Sequence, residues 1–314
     1  VIVPDEKNDE ALNRQTTSFC YPSQLAIAYF DVLAEKAPDY YFLPHVRELY
    51  VPKGNDKKDF CATCIFSQGE AYWMNAVFKD KNLKEKILDP TINFRHGYES
   101  EQKVFEKLGK KLGFSGKKAS EAYKKAVEVQ KEFEDECRLL GKEALEKLRK
   151  SPDTFAAVLF GRPHNAFTDD ANKGIPRKIT TRGHMVIPYE MIDFDDEVLM
   201  EPFKESMHWE IGQKLLKASQ AIKNDKQLFA VYITNFLCAL DSFLVQHVRR
   251  IMETKPSLTL ELDGHTADAG INTRIDAFLD VVKNYLQVQA DEKKLEREEF
   301  MPAVIRTEGD ELYY

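Results

Sequence analysis

The sequence predicts an α/β protein of two lobes joined by a helical region, and three observations carry that expectation. Short apolar runs such as Thr154 to Phe160 and Phe229 to Ile233 alternate with stretches of helical period, the pattern of strand–helix units that build a parallel sheet. The stretch from Glu99 to Arg149 is charged and helical in period, with no strand-like run inside it. A chain of 314 residues with 43% hydrophobic and 11% aromatic content can bury more than one core. The expected divisions are residues 1–98 for the first lobe, 99–150 for the helical connection, 151–289 for the second lobe and 290–314 for a charged linker or tail.

In chain order, Val1 to Val3 reads as a strand, and Pro4 to Thr17 as a short helix and loop. Pro22 suits a first helical turn, and the period from Leu25 to Leu33 continues that helix to Ala37. Tyr40 to Pro44 is a buried strand ended by its proline. Ser67 and Glu70 form a capping-box pattern for a helix through Phe78. Glycines 109, 113, 116 and 141 punctuate the connection, and its long helix from Ala119 to Leu140 turns Ala122, Ala126, Val127, Val129 and Phe133 inward. Its charges form a solvated face, and Cys137 is packed.

The second lobe opens with the strand at Thr154 to Phe160. Gly174-Ile-Pro176 starts a helix, Gly183 closes it, and His184 to Pro188 returns as a parallel strand by a right-handed crossover. The runs at Phe229 and at Leu258 to Leu262 extend the sheet. Helices around Gly212 to Ile222 and Thr273 to Leu286 cover it, and the pattern from Leu244 to Met252 follows the Phe229 strand.

The chemistry sits where strands hand over to helices. Cys238 falls between the Phe229 strand and the helix that follows, Cys20 precedes the helix at Pro22, and Cys64 stands close to a third helix start. A thiol there meets the partial positive charge of a helix N-terminus, which favours the thiolate. Three such cysteines could converge on an iron–sulfur cluster, whose charge the helix termini would offset. The same positions also suit inert buried thiols. Cys61 and Cys64 form a C-x-x-C that fits a redox pair or half of a zinc site.

Composition excludes several classes. A net charge of −7 and a pI near 5.7 leave no dominant basic face for nucleic acid. No run of about 18 apolar residues predicts a membrane span. Five widely spaced cysteines and no export leader point to a reducing, cytoplasmic setting rather than a secreted disulfide framework. The start at Val1 instead of Met predicts a fragment or processed piece of a longer polypeptide.

Several stretches together resemble one family. They are Phe19 to Leu25, Asp39 to Pro44, Phe160-Gly-Arg-Pro-His-Asn165, Asn172 to Pro176, Tyr232 to Phe236 with Cys238 and Asp241-Ser-Phe243, and Glu261 to Gly270. In this order they look like the activase-related branch of the 2-hydroxyacyl-CoA dehydratase and benzoyl-CoA reductase superfamily. The resemblance implies two Rossmann-like (flavodoxin-like) lobes with parallel sheets and an iron–sulfur cluster in the cleft between them. It implies a [4Fe-4S] cluster, or a double-cubane form, held by Cys20, Cys64 and Cys238. A separate ATP-hydrolysing activator would supply low-potential electrons for reduction or radical dehydration of a substrate such as an acyl-CoA, in an anaerobic cytoplasm. The chain would act as a dimer or within a longer polypeptide.

Departures from that pattern set the alternative. Where the family has a form like Gly-Cys-Gly-Pro-Asp-Ser, this chain reads Leu237-Cys-Ala-Leu-Asp-Ser242, and Ile65 follows Cys64 where proline is usual. Cys61 is an additional thiol close enough to serve as a fourth ligand. No G-x-x-x-x-G-K-[ST] occurs, so nucleotide hydrolysis lies elsewhere. The competing expectation is a non-catalytic scaffold or electron-relay domain of a larger assembly. Of the remaining residues, His265 in Asp263-Gly-His-Thr266 is the candidate acid, base or carbonyl ligand, or else a loop tie. Arg162 and Asn165 either bind an anion or bridge loops, Tyr72 and Trp73 are expected in the core, and His208 and Trp209 carry no assigned role.

Overall fold

The computed structural model describes residues 1–14, 20–55 and 61–299. In the first lobe, α1 (Tyr21–Glu35) precedes two short strands, β1 (Tyr41–Phe42) and β2 (His45–Leu49). Two helices follow, α2 (Ile65–Gln68) and α3 (Glu70–Val77), and then β3 (Ile87–Leu88) and β4 (Thr91–Phe94). β1 pairs with β3 and β2 with β4, both parallel. Pro44 and Pro90 stand between the two pairs, and since proline has no N–H to donate, the ladder breaks there. The carbonyls carry on: Leu43 N–H donates to Leu88 O, and His45 N–H to Pro90 O. Ile27, Phe30, Tyr41, Met74, Phe78 and Ile87 form this lobe's core.

The connection is a helical hairpin of α4 (Gln102–Lys111) and α5 (Gly116–Arg149). α5 is longer than its period suggests, and Gly141 lies inside it rather than ending it. A Cβ on Gly141 would come within 1.9 Å of Met191 O, so glycine there allows the helix to lie against the second lobe's backbone. Val129 and Phe133, expected inward, are 50% and 59% exposed. Tyr123, stacked on Phe105 at 4.4 Å, is the buried contact instead.

The second lobe runs β5 (Ala156–Phe160), α6 (Pro163–Ala166), α7 (Asp169–Asn172), α8 (Ile175–Thr180) and β6 (Met185–Pro188). It continues through α9 (Phe203–Ser206), α10 (Glu210–Lys223), β7 (Leu228–Asn235), α11 (Ala239–Met252), β8 (Leu258–Leu262) and α12 (Asp268–Glu299). The four strands form one parallel sheet in the order β6-β5-β7-β8. Alternate residues fill two cores. Ala156, Val158, Phe160, Ala230 and Tyr232 face α10 and α11, while Ala157, Leu159, Phe229, Val231 and Ile233 meet residues of α8 and α12. Every residue of β7 is buried, which is why a strand covered on both faces reads as a continuous apolar run.

Three expectations change. Val1 to Val3 forms no strand and is exposed. Cys64, not Ser67, is the N-cap residue of the helix that follows it, and Gly69 separates α2 from α3, so the capping box does not form. α12 continues through residues 290–299, where a linker was expected, and residues 300–314 lie outside the described residues. Residues 15–19 and 56–60 do too, including Phe19 of the first family-like stretch. Among the described residues no helix is long and apolar enough to cross a membrane.

Candidate functional site between the lobes

The strand order reverses direction at β5: β6 lies on one side of it and β7 on the other. In open α/β sheets the crevice beyond the carboxyl ends of two such strands is where ligands bind. Gly161 to Asn165 leave the end of β5, and Phe236 to Cys238 leave the end of β7. Gly161 has φ 144°, and a Cβ on it would stand 2.6 Å from Ile233 O, so only glycine brings the two strand ends this close.

The first lobe closes over this crevice. Tyr21 and Tyr29 on α1 donate to Asp170 O and Asp170 Oδ2, at 3.4 and 2.5 Å, and this holds the start of α1 against α7. The loop at Cys61 to Cys64 is held from two sides. Leu49 N–H donates to Cys61 O and Thr63 N–H to Arg47 O on the β2 side, while Ala62 N–H donates to His208 O and Glu210 N–H to Ala62 O on the other. His208 and Glu210, on either side of Trp209, therefore position this loop through their backbone.

Between the lobes is a cavity of about 240 Å³ lined by Cys20, Cys64, Glu70, Trp73, Arg162 and His164 among others. Cys20 is the N-cap residue of α1 and Cys64 that of α2. Trp73, expected in the core, is part of this wall with its indole N–H on Phe66 O at 2.9 Å, and Tyr72 is exposed and stacked on His45. Cys238 is the N-cap residue of α11; its sulfur accepts from Asp241 N–H at 3.4 Å, but it does not line the cavity.

Arg162 lies within electrostatic reach of all three cysteines. It is 2% exposed, and its guanidinium donates to Asp241 Oδ2 through Nε and Nη2 at 3.1 and 3.0 Å and to Asn235 Oδ1 at 2.8 Å. Burial works against its charge, but Asp241 and then Cys238, Cys64 and Cys20 act in the opposite direction, and the net shift is upward. Asp241 in turn accepts from Tyr232 and Thr234 hydroxyls, so the buried charge pair is well supplied with donors.

His164 was not singled out by sequence. Its ring is exposed at the cavity yet surrounded by protein, and that surrounding mass, with Arg162 second, pushes its pKa down to about 4. Arg162 Nη1 lies 3.2 Å from His164 Nε2. A guanidinium only donates, so Nε2 is the acceptor and the ring proton is on Nδ1. Burial raises the Glu70 carboxyl above its ordinary range, and donation to Asp170 holds the Tyr29 phenol up to about 12.

Helix N-termini do not lower every thiol. Burial, and then Asp241, push Cys238 up to about 12, outweighing the helix terminus behind it. Burial first and Glu48 second push Cys61 up to about 11, and its Sγ is 3.4 Å from Asn55 O. Cys61 does not line the cavity either. His265 is exposed in the turn after β8 and outside the cavity lining, with its backbone N–H on Asp263 Oδ1 at 2.9 Å. Asn165 is buried and donates to Ile233 O, tying α6 to β7, while its Oδ1 has no partner. Among the described residues no three His, Cys, Asp or Glu side chains gather tightly enough to hold a single metal ion.

Residues 1–192 match the family described as CoA enzyme activase uncharacterised domain (DUF2229). The chain belongs to that family. The activase-family match covers Cys20, Cys61, Cys64, Arg162 and His164 and ends before Cys238 and His265. No curated protein and no solved structure gives a significant match to the chain.

The donor chemistry of this activase-family site suits a thiolate-held cluster. Cys20 and Cys64 face one cavity, Cys238 lies off it but within electrostatic reach of the same buried Arg162, and Asn235 Nδ2, beside Arg162, is a buried donor without a partner.

Proposed function

We propose that this chain is an iron–sulfur protein of the 2-hydroxyacyl-CoA dehydratase and benzoyl-CoA reductase type, served by an ATP-hydrolysing activator in an anaerobic, reducing cytoplasm. The observation that carries the reading is Arg162. Three cysteines that are far apart in sequence each act electrostatically on one buried guanidinium at the sheet's switch point. Cys20, Cys64 and Cys238 would hold the cluster, most simply [4Fe-4S], and Cys61, whose thiol is engaged with Asn55 O, would not. A three-thiolate site leaves one iron free for another ligand. Bound there, the cluster supplies low-potential one-electron chemistry.

The chain's own groups have separate tasks. Arg162 offsets negative charge among the cysteines. His164 stays neutral and, with Nε2 held by Arg162, offers Nδ1–H to an anionic or carbonyl oxygen in the cavity. Burial at the cavity wall favours the protonated form of Glu70 relative to an exposed carboxyl. An acyl-CoA or another small acyl substrate would meet these donors.

A scaffold or electron-relay role is the second reading. It draws on Cys238, which lies off the cavity with its thiol pushed up to about 12, and on Leu237, which occupies a left-handed backbone position. Visible absorption and low-temperature electron paramagnetic resonance of protein purified without oxygen separate a cluster-bearing protein from a clusterless scaffold, and turnover of an added acyl-CoA with the activator separates the enzyme from a relay. A brown protein whose reduced form gives a cluster spectrum supports the first reading. A colourless protein after anaerobic reconstitution with iron and sulfide sinks it.

A further inference from the structure

Away from the cysteine site, α4 and α5 enclose an open apolar groove of about 620 Å³, lined by Phe105, Leu108, Leu112, Ala122, Tyr123 and Ala126 among others. The apolar stripe of α5 does not stop at the groove. Val129, Phe133 and Leu140 continue it at heptad spacing from Ala122 and Ala126, and they are 50%, 59% and 48% exposed. The same face thus carries a hollow at Ala122 and a bulky ring at Phe133, separated by roughly 16 Å at 1.5 Å per residue.

The charges along one edge of that stripe select the occupant. At helical spacing, Lys118 and Lys125 flank its first half and Glu132 and Glu136 its second. Lys118, Glu132 and Glu136 make no ion pair among the described residues, and Lys125 meets only the exposed Glu128 one turn along. Turning a second helix end for end about a point near residue 128 sets Lys125 against Glu132 and Lys118 against Glu136. The same operation lays Phe133 of each copy over Ala122 of the other. Both matches repeat across the two-fold axis, as a self-complementary interface requires.

We propose that α5 is a homodimer interface in which two copies pair antiparallel and each Phe133 fills the other's α4–α5 groove. The interface is independent of any cluster, since none of its residues lines the cysteine cavity. The same geometry explains why a face with the period of a buried helix is open to solvent in the single chain.

Sedimentation equilibrium of this chain between about 1 and 100 μM tests it. The wild type should be a dimer, and Phe133→Glu should weaken association at least hundredfold. Its circular dichroism should be unchanged, because the side chain is exposed in the monomer. The double reversal Lys118→Glu/Lys125→Glu should also dissociate, as should Glu132→Lys/Glu136→Lys. An equimolar mixture of those two variants should recover a heterodimer. A wild type that stays monomeric to 100 μM overturns the proposal and leaves the groove to another segment or protein. A dimer that survives Phe133→Glu overturns it too, because that dimer is built elsewhere.

Discussion

Replacing Arg162 by methionine keeps much of its volume and removes its charge, which isolates what the guanidinium contributes. The substitution leaves Asp241, which is fully buried, without its counter-charge and Asn235 Oδ1 without its donor. Breaking a buried pair by removing one partner costs about 3–5 kcal/mol, because the remaining charge stays desolvated. Tyr232 and Thr234 still donate to Asp241, so the lower half of that range is expected. For a protein of this size, with about 2.1 cal/mol/K of unfolding entropy per residue, about 3 kcal/mol lowers the melting temperature by roughly 4–5 °C. Urea unfolding of cluster-free protein gives the free energy directly. Asp241→Asn should cost a comparable amount, and the double variant should cost at least about 2 kcal/mol less than the two added together, since each single change strands the other group. A loss under about 1 kcal/mol in Arg162→Met would refute the reasoning, because it would mean that water entering the cavity already screens the pair.

Three further outcomes follow from local geometry. Leu237 has φ 64° and is 63% exposed, so Leu237→Gly removes a left-handed penalty of about 1–2 kcal/mol against roughly 0.5–1 kcal/mol of added chain entropy. A net gain of about 0.5–1 kcal/mol should appear in the unfolding midpoint, and a less stable variant would show that the side chain packs usefully. Gly141→Ala should destabilise by about 1–3 kcal/mol through its clash with Met191 O, although alanine is the better helix former, and a rise in melting temperature would disprove the close approach. Lys255 Nζ donates to the carbonyls of Ile222, Lys223 and Asp225 at the end of α10, and burial lowers its pKa to about 8. Between pH 8 and about 10.4 the unfolded chain keeps a proton that the folded one has released, so stability rises with pH through that window. The penalty is fully present below it, and the gain is at most ~3 kcal/mol. Relative to Lys255→Met, the wild type should therefore gain stability from pH 7 to pH 10, and parallel profiles would exclude the shift.

The parts of the fold that sequence discloses are those whose burial is symmetrical. β8 has the bounds its apolar run suggests, and β5 and β7 read clearly because both faces of the sheet are covered. β2 and β4 do not read so easily, since they follow Pro44 and Pro90 and carry mixed burial. Periodicity found the apolar stripe of α5 but says nothing of what covers it, so Val129 and Phe133 were expected inside. In the candidate site, the helix-start positions of Cys20, Cys64 and Cys238 follow from strand–helix punctuation. Arg162 and His164 were harder because their meaning depends on Asp241, which is 79 residues from Arg162 in the chain. The pKa of Cys238 shows the same limit: a helix start is visible in sequence, whereas the burial and the carboxylate that oppose it are tertiary facts.

The central claim is that Cys20, Cys64 and Cys238 act together as ligands of one cluster. Iron and acid-labile sulfide content of the chain, purified without oxygen, measures this most directly when wild type is set beside single alanine variants of Cys20, Cys61, Cys64 and Cys238. The account predicts about four irons per chain in the wild type and in Cys61→Ala, with loss in each of the other three. Iron that survives Cys238→Ala, or a wild type that binds none after reconstitution, would contradict it.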